Sequence, residues 1–243
     1  MGPPSTSCVP GLDLTWFQHF AKAFGIEQYQ VASDNPNAPK ASMFVAFEHV
    51  LKDVVVKAYF LPSLAAGLGG PLTFETFGSA ARKVLTNAAA LNAALDYVKN
   101  NVMGIDLIPD MRAVDCIDAT KSRLKLYVSS TATSFVSIVS VRTLGGKISD
   151  MDRGIKELGP LLSLILGRET LISWDDELEV QGVFDKCLTP SSELPDLKLY
   201  IPVIRFGRSN AAVASGFGPK LRLRQRDQFH DGFTYLAVAF QRD

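Results

Sequence analysis

Two periodicities share this chain, and the switch between them lays out its elements. From Asp13, apolar residues at Leu14, Phe17, Phe20, Ala21 and Phe24 recur at helical spacing and stop at Gly25, which predicts a first helix. Beyond a Pro/Asn loop at 35–39, period-two stretches at about 42–48 and 53–60 predict two strands joined near His49 to Lys52. An Ala-rich stretch then predicts one long helix over about 73–99, with Thr73 as cap and Glu75 in its first turn.

The order repeats. Strands are predicted near Ala113 to Asp118 and at 123–130, then helices at about 133–141 and 149–166. A third round has strands near Val180 to Phe184 and at 196–204, a helix from about Ser209, and a last strand from Thr234 to Phe240. Two adjacent strands and a helix recur about every 70 residues, which fits an α+β fold. Its sheet is antiparallel with helices on one face, since a parallel doubly wound sheet would alternate single strands with helices.

Strand alternation then exposes a chemical pattern. In Val55 to Phe60, Lys57 and Tyr59 share one face while Val56, Ala58 and Phe60 share the other. In Arg123 to Val128, Arg123, Lys125 and Tyr127 stand opposite Leu124, Leu126 and Val128. In Leu197 to Ile201, Lys198 and Tyr200 oppose three aliphatic side chains, and Tyr235 again opposes an apolar row. On one strand, Lys-x-Tyr is also what a solvated face looks like. Three occurrences at repeat-like spacing favour faces turned inward in a curved or closed sheet. Four converging cations without counter-charge are costly, and a bound polyanion such as diphosphate relieves that cost through Arg forks and Lys point charges. Tyrosine rings beside them suit a carbocation. Ionisation of an allylic diphosphate makes both species.

Composition narrows the field. A chain of 243 residues, 47% hydrophobic, can bury a substantial core, read as a single domain over 1–243 with residues 1–11 frayed. Zero net charge, from 25 basic and 25 acidic residues, speaks against general nucleic-acid binding. The cluster Lys220 to Arg226 is read as a surface patch. No apolar run reaches membrane-spanning length, and the N-terminus has no signal-peptide pattern. Cys8, Cys116 and Cys187 have no metal-ligand spacing, so reduced thiols in a cytoplasmic protein are expected. His19, His49 and His230 carry no metal spacing either, and Trp174 to Glu179 is read as a solvated acidic loop. Gly67 to Gly70 and Gly145-Gly146 match no phosphate-loop fingerprint and are read as turns.

These segments resemble one family in order. Leu12-Asp13-Leu14-Thr15-Trp16-Phe17, Val56-Lys57-Ala58-Tyr59-Phe60-Leu61-Pro62, Asp115-Cys116-Ile117-Asp118 with Ser122 to Tyr127, and Pro195 to Val203 with Gly207 to Asn210 are similar to the fungal dimethylallyltryptophan synthase-type aromatic (indole) prenyltransferases. The resemblance implies a ten-stranded antiparallel barrel of five αββα repeats with helices outside. It implies transfer of a dimethylallyl group from its diphosphate to an indole such as tryptophan or a tryptophan-containing cyclic dipeptide, without a metal or other cofactor. Carried over by position, Lys57, Arg123, Lys125 and Lys198 would hold diphosphate, and Tyr59, Tyr127, Tyr200 and Tyr235 would shield the cation.

The resemblance begins at the family's second repeat, so the first repeat's glutamate, which accepts the indole N–H, and its arginine have no counterpart here. The segment from Gly216 to Gly232 is shorter than the family's, the final strand of the barrel is not reached, and a lysine often present on the strand before Lys57 falls near Met43 or Phe44. An incomplete barrel, a homodimer or a complementing chain, a paralogue that binds prenyl diphosphate without turnover, and a prenyl cyclisation stay open as alternatives. Glu48, Asp115 and Glu179 are the carboxylates whose strand positions suit the absent glutamate.

Overall fold

The computed structural model describes residues 9–26, 43–50, 53–61, 73–130, 133–149, 152–166, 168–178, 182–201 and 236–238. In chain order these form α1 (Thr15–Ala23), β1 (Met43–Val50), β2 (Asp53–Phe60), α2 (Phe74–Ala81), α3 (Ala89–Asn100), β3 (Ile108–Asp115) and β4 (Leu124–Ser130). There follow β5 (Thr133–Ser134), α4 (Phe135–Thr143), α5 (Asp152–Ile165), β6 (Glu177–Leu178), β7 (Gly182–Leu188), β8 (Asp196–Ile201) and β9 (Leu236–Val238). Seven strands share a sheet in the order β1-β2-β3-β4-β7-β8-β9, and β5 pairs β6 separately. The registers of β1 with β2, β2 with β3, and β8 with β9 are antiparallel. Among the described residues no pairing joins β1 to β9, so the described sheet is open. The fold is α+β, with an antiparallel sheet.

Contacts group the chain into two compact units, one of residues 1–95, 109–127 and 186–196, the other of 96–108, 128–185 and 197–243. In the first, the aliphatic face of β2 is buried under a helix: Ala58 and Phe60 are at most 1% exposed. Helix α1 packs there, with Phe17 stacked on Phe60 at 6.0 Å and Phe24 edge-on to it at 5.4 Å. His19 Nε2 bonds Ala80 O at 2.9 Å, which ties α1 to α2 and shows a satisfied histidine rather than a ligand.

The expected long helix over 73–99 is two helices. Thr73 caps α2 as predicted, accepting from Thr76 N–H. The break comes at 82–88, where Asn87 N–H and Thr86 Oγ1–H donate to Pro190 O and Asn87 Oδ1 caps Ala89 N–H. A long-range partner outbids the Ala-rich helical propensity. The strand expected at Ala113 to Asp118 lies instead at Ile108–Asp115, because pairing with β2 sets its register. The strand expected near Val180 to Phe184 runs on to Leu188.

In the second unit, Ser134 and Ser137 form a reciprocal capping box at the start of α4. That helix ends with Leu144 at φ 50° and Gly145 at φ 68°; Gly145 and Gly146 are turn glycines. Ser163 Oγ donates to Gly159 O within α5 and accepts from Ile172 N–H at 2.9 Å, fastening the loop that follows. The acidic run is solvent-facing as expected, with Trp174, Asp175 and Glu177 exposed, yet it is anchored: Asp176 pairs with Arg168 at 3.1 Å, Trp174 packs edge-on to Phe135, and Glu177 lies in β6. The helix expected from Ser209, Gly67 to Gly70 and the basic cluster Lys220 to Arg226 lie outside the described residues, as do Cys8, His230 and Glu179.

Candidate active site

The face of β2 opposite α1 carries the expected residues. Lys57 is 7% exposed and Tyr59 half-buried on β2, and Lys125 and Tyr127 are 5% and 4% exposed on β4. A solvated face would leave these side chains open, so that reading fails here. Register sets their neighbours. Tyr59 stands between Phe44 of β1 and Ala113 of β3, and Lys57 between Ala46 and Asp115. Two parallel rows result. In the aromatic row, Phe44 stacks on Tyr59 at 4.4 Å with planes 8° apart, and Tyr59 lies 6.2 Å from Tyr127. Ala113 has no ring of its own to fill that line.

In the charged row, the Lys57 ammonium pairs with Glu48, and Arg123 Nε–H donates to Asp115 Oδ2 at 2.5 Å. This corrects the expectation of cations needing an external polyanion, since two of them meet carboxylates of the same face. Alternation along β1 and β3 puts Glu48 and Asp115 there. The bond to Lys57 holds the Glu48 carboxyl below its ordinary range against burial, helped by Lys125 and Arg123. For Arg123, burial works against the charge, but the bond and charge of Asp115, with Cys187 and Glu48, leave its pKa raised.

Lys198 and Tyr200 lie on β8 in the second unit, half-buried, opposite the buried Leu197 and Leu199. Tyr235 lies outside the described residues. Two buried cations of the first unit escape the Lys-x-Tyr pattern. Arg112 is fully buried beside Phe77, its guanidinium 5.2 Å from the ring centre, and burial lowers its pKa to about 10. Its cross-strand partner is Phe60, which places it on the helix-covered face. Lys186 on β7 is fully buried, and burial lowers its pKa to about 7. A strand cation with no tyrosine two residues further on gives no sequence signal of this kind. Among the described residues, no group of three or more His, Cys, Asp or Glu could hold a metal ion. None of the described helices is long and apolar enough to cross a membrane.

An antiparallel sheet with a helix packed on one face thus carries, on the other, cations beside stacked aromatic rings. The family model for tryptophan dimethylallyltransferase matches residues 4–235, and the chain belongs to that family. It is 68% identical to the DMATS-type prenyltransferase fscG of Fusarium equiseti, over 98% of this chain and 63% of that protein. It is 28% identical to 4-O-dimethylallyl-L-tyrosine synthase of Claviceps purpurea, over 88% of this chain and 51% of the relative. The crystal structure of NotF in complex with brevianamide F and DMSPP superposes with a TM-score of 0.68 at 20% identity, covering 88% of this chain and 53% of that one. The chain thus spans about half to two thirds of the length of these proteins. The fscG alignment runs over 273 positions, more than the 243 residues here, so that relative carries extra residues within the matched span.

Proposed function

We propose that the protein is an aromatic prenyltransferase that moves a dimethylallyl group from its diphosphate to an indole or tryptophan-derived acceptor. The observation that carries this reading is the pairing of a charged and an aromatic row on one buried face, with Lys57, Arg123 and Lys125 beside Tyr59 and Tyr127. The residue roles follow from chemistry. Arg123, Lys57 and Lys125 receive the diphosphate and stabilise the charge it gains as the C–O bond breaks and the electron pair leaves on oxygen. The ring faces of Tyr59 and Tyr127 stabilise the allyl cation through their quadrupoles and keep water from it. An aromatic carbon of the acceptor attacks that cation, and loss of its proton restores aromaticity.

The DMATS-type family is metal-independent, and the basic side chains supply here the charge that a metal would supply elsewhere. The relatives named above support small-molecule substrates and differ in acceptor, one being named for tyrosine and another crystallised with brevianamide F. Cys116 and Cys187, both buried, suit the reducing cytoplasm we propose as its location. The test is incubation with dimethylallyl diphosphate and tryptophan, tyrosine or a tryptophan-containing cyclic dipeptide in EDTA, followed by mass spectrometry. A prenylated product is expected. A folded sample that prenylates none of them, yet binds inorganic diphosphate, would leave the paralogue that binds without turnover.

A further inference from the structure

Asp115 differs from every other carboxylate of the charged row. It is 1% exposed, directly opposite Lys57, and its Oδ2 accepts the Nε–H of Arg123 at 2.5 Å. Its main chain is tied to the same place: its N–H donates to Arg123 O at 3.2 Å, and Ser122 Oγ–H donates to its carbonyl at 2.6 Å. One bond thus joins the carboxylate to the guanidinium, and two more hold the Asp115 main chain against Arg123 and Ser122 at the start of β4. The arginine is not equally enclosed, since its side chain is 38% exposed against 1% for Asp115.

That asymmetry has a geometric consequence. A guanidinium is a rigid plane with five N–H donors, and a carboxylate on its Nε edge turns the paired Nη groups the other way. Bidentate capture of a phosphoryl group needs two parallel N–H donors already aimed. Each long side chain left unfixed adds an ordering cost at binding, which prior fixation removes. Glu48 does no such service, because it is half-exposed and holds a lysine, a point charge without directional donors.

We propose that Asp115 is the positioning residue of the diphosphate subsite, gripping Arg123 by Nε so that its Nη fork is oriented before the diphosphate arrives. This rests on the reading of Arg123 as a diphosphate ligand. A merely structural ion pair would lower stability on removal and leave the affinity of the folded protein unchanged.

The test is calorimetric titration of the full chain with inorganic diphosphate at fixed ionic strength. Asp115→Asn keeps the shape and can still accept the Nε–H, but loses the charge that fixes the plane. We expect about tenfold weaker binding for Asp115→Asn, a similar loss for Arg123→Lys, and no further loss in the double variant, since lysine has no Nε edge to hold. In turnover, KM for dimethylallyl diphosphate rises about tenfold in Asp115→Asn while KM for the acceptor stays put. Wild-type affinity in Asp115→Asn, or a second tenfold loss on the Arg123→Lys background, overturns the inference alone. Wild-type protein that ignores diphosphate overturns both the inference and the reading beneath it. Should Asp115→Asn not fold, arginine side-chain ¹⁵N spectra of the wild type decide. The Nε–H should be slow to exchange before diphosphate is added and unmoved after it, while the Nη signals sharpen; a displaced Nε–H signal counts against the proposal.

Discussion

Glu48 and Asp115 carry the same charge on the same face, and burial gives them opposite parts. Asp115 is enclosed and holds its arginine; the Glu48 side chain is 48% exposed and sits on the Lys57 ammonium. An exposed carboxylate on a lysine that binds diphosphate competes with the substrate. Glu48→Gln is therefore expected to tighten inorganic diphosphate about threefold at low salt, the size of a partly exposed ion pair. Weaker binding in the same titration would mean that Glu48 orients Lys57 instead. The pair also sets a pH response. Because the folded carboxyl lies below its ordinary value, its contribution to stability is present above the unfolded carboxylate range and lost as pH falls through the depressed value. At this exposure it is well under about 1 kcal/mol, so urea melts of wild type and Glu48→Gln should converge only in acid.

At the scale of elements, capping and long-range bonds decide what propensity leaves open. The Ser134–Ser137 box fixes the start of α4 immediately after β5, and Ser134→Ala should cost about 1 kcal/mol in denaturant melts. Asn87 holds the α2–α3 break with its backbone on Pro190, Nδ2 on Glu193 Oε1 at 2.9 Å and Oδ1 on Ala89 N–H. Asn87→Ala should cost about 1–2 kcal/mol, read the same way. The α1 helix, the Lys-x-Tyr strands and the Thr73 cap were legible because each depends on residues close in sequence. The break in the long helix and the shifted β3 were not, since Pro190 and the β2 register lie far along the chain.

At the scale of the molecule, two fully buried cations, Arg112 and Lys186, are carried in the first unit. Arg112 has an aromatic face to lie on. For Lys186, burial lowers the ammonium pKa to about 7 from an ordinary 10.5. The unfolded chain then binds a proton that the folded chain lacks between these values, so global stability rises with pH across that window, by at most about 1.4 kcal/mol per unit. Below about 7 both states are protonated and the slope disappears. Lys186→Met should flatten the rise and be the more stable protein at neutral pH, as urea melts at pH 7 and pH 9 will show. A parallel rise in the variant would place the titration elsewhere.

By itself the sequence determined which side chains share a strand face, since alternation needs only the chain's own geometry. That was enough to set Lys57 with Tyr59 and Arg123 with Lys125 and Tyr127, and to mark the family through them. Which strands are neighbours, and in what register, is a matter of pairing between distant segments, and only the tertiary structure decided it. Register put Phe44 on Tyr59, and the pairing of β3 with β4 put Asp115 on Arg123. So the cations and the carboxylates Glu48 and Asp115 were visible in the sequence, while the pairing of each carboxylate with its cation became visible only in the folded sheet.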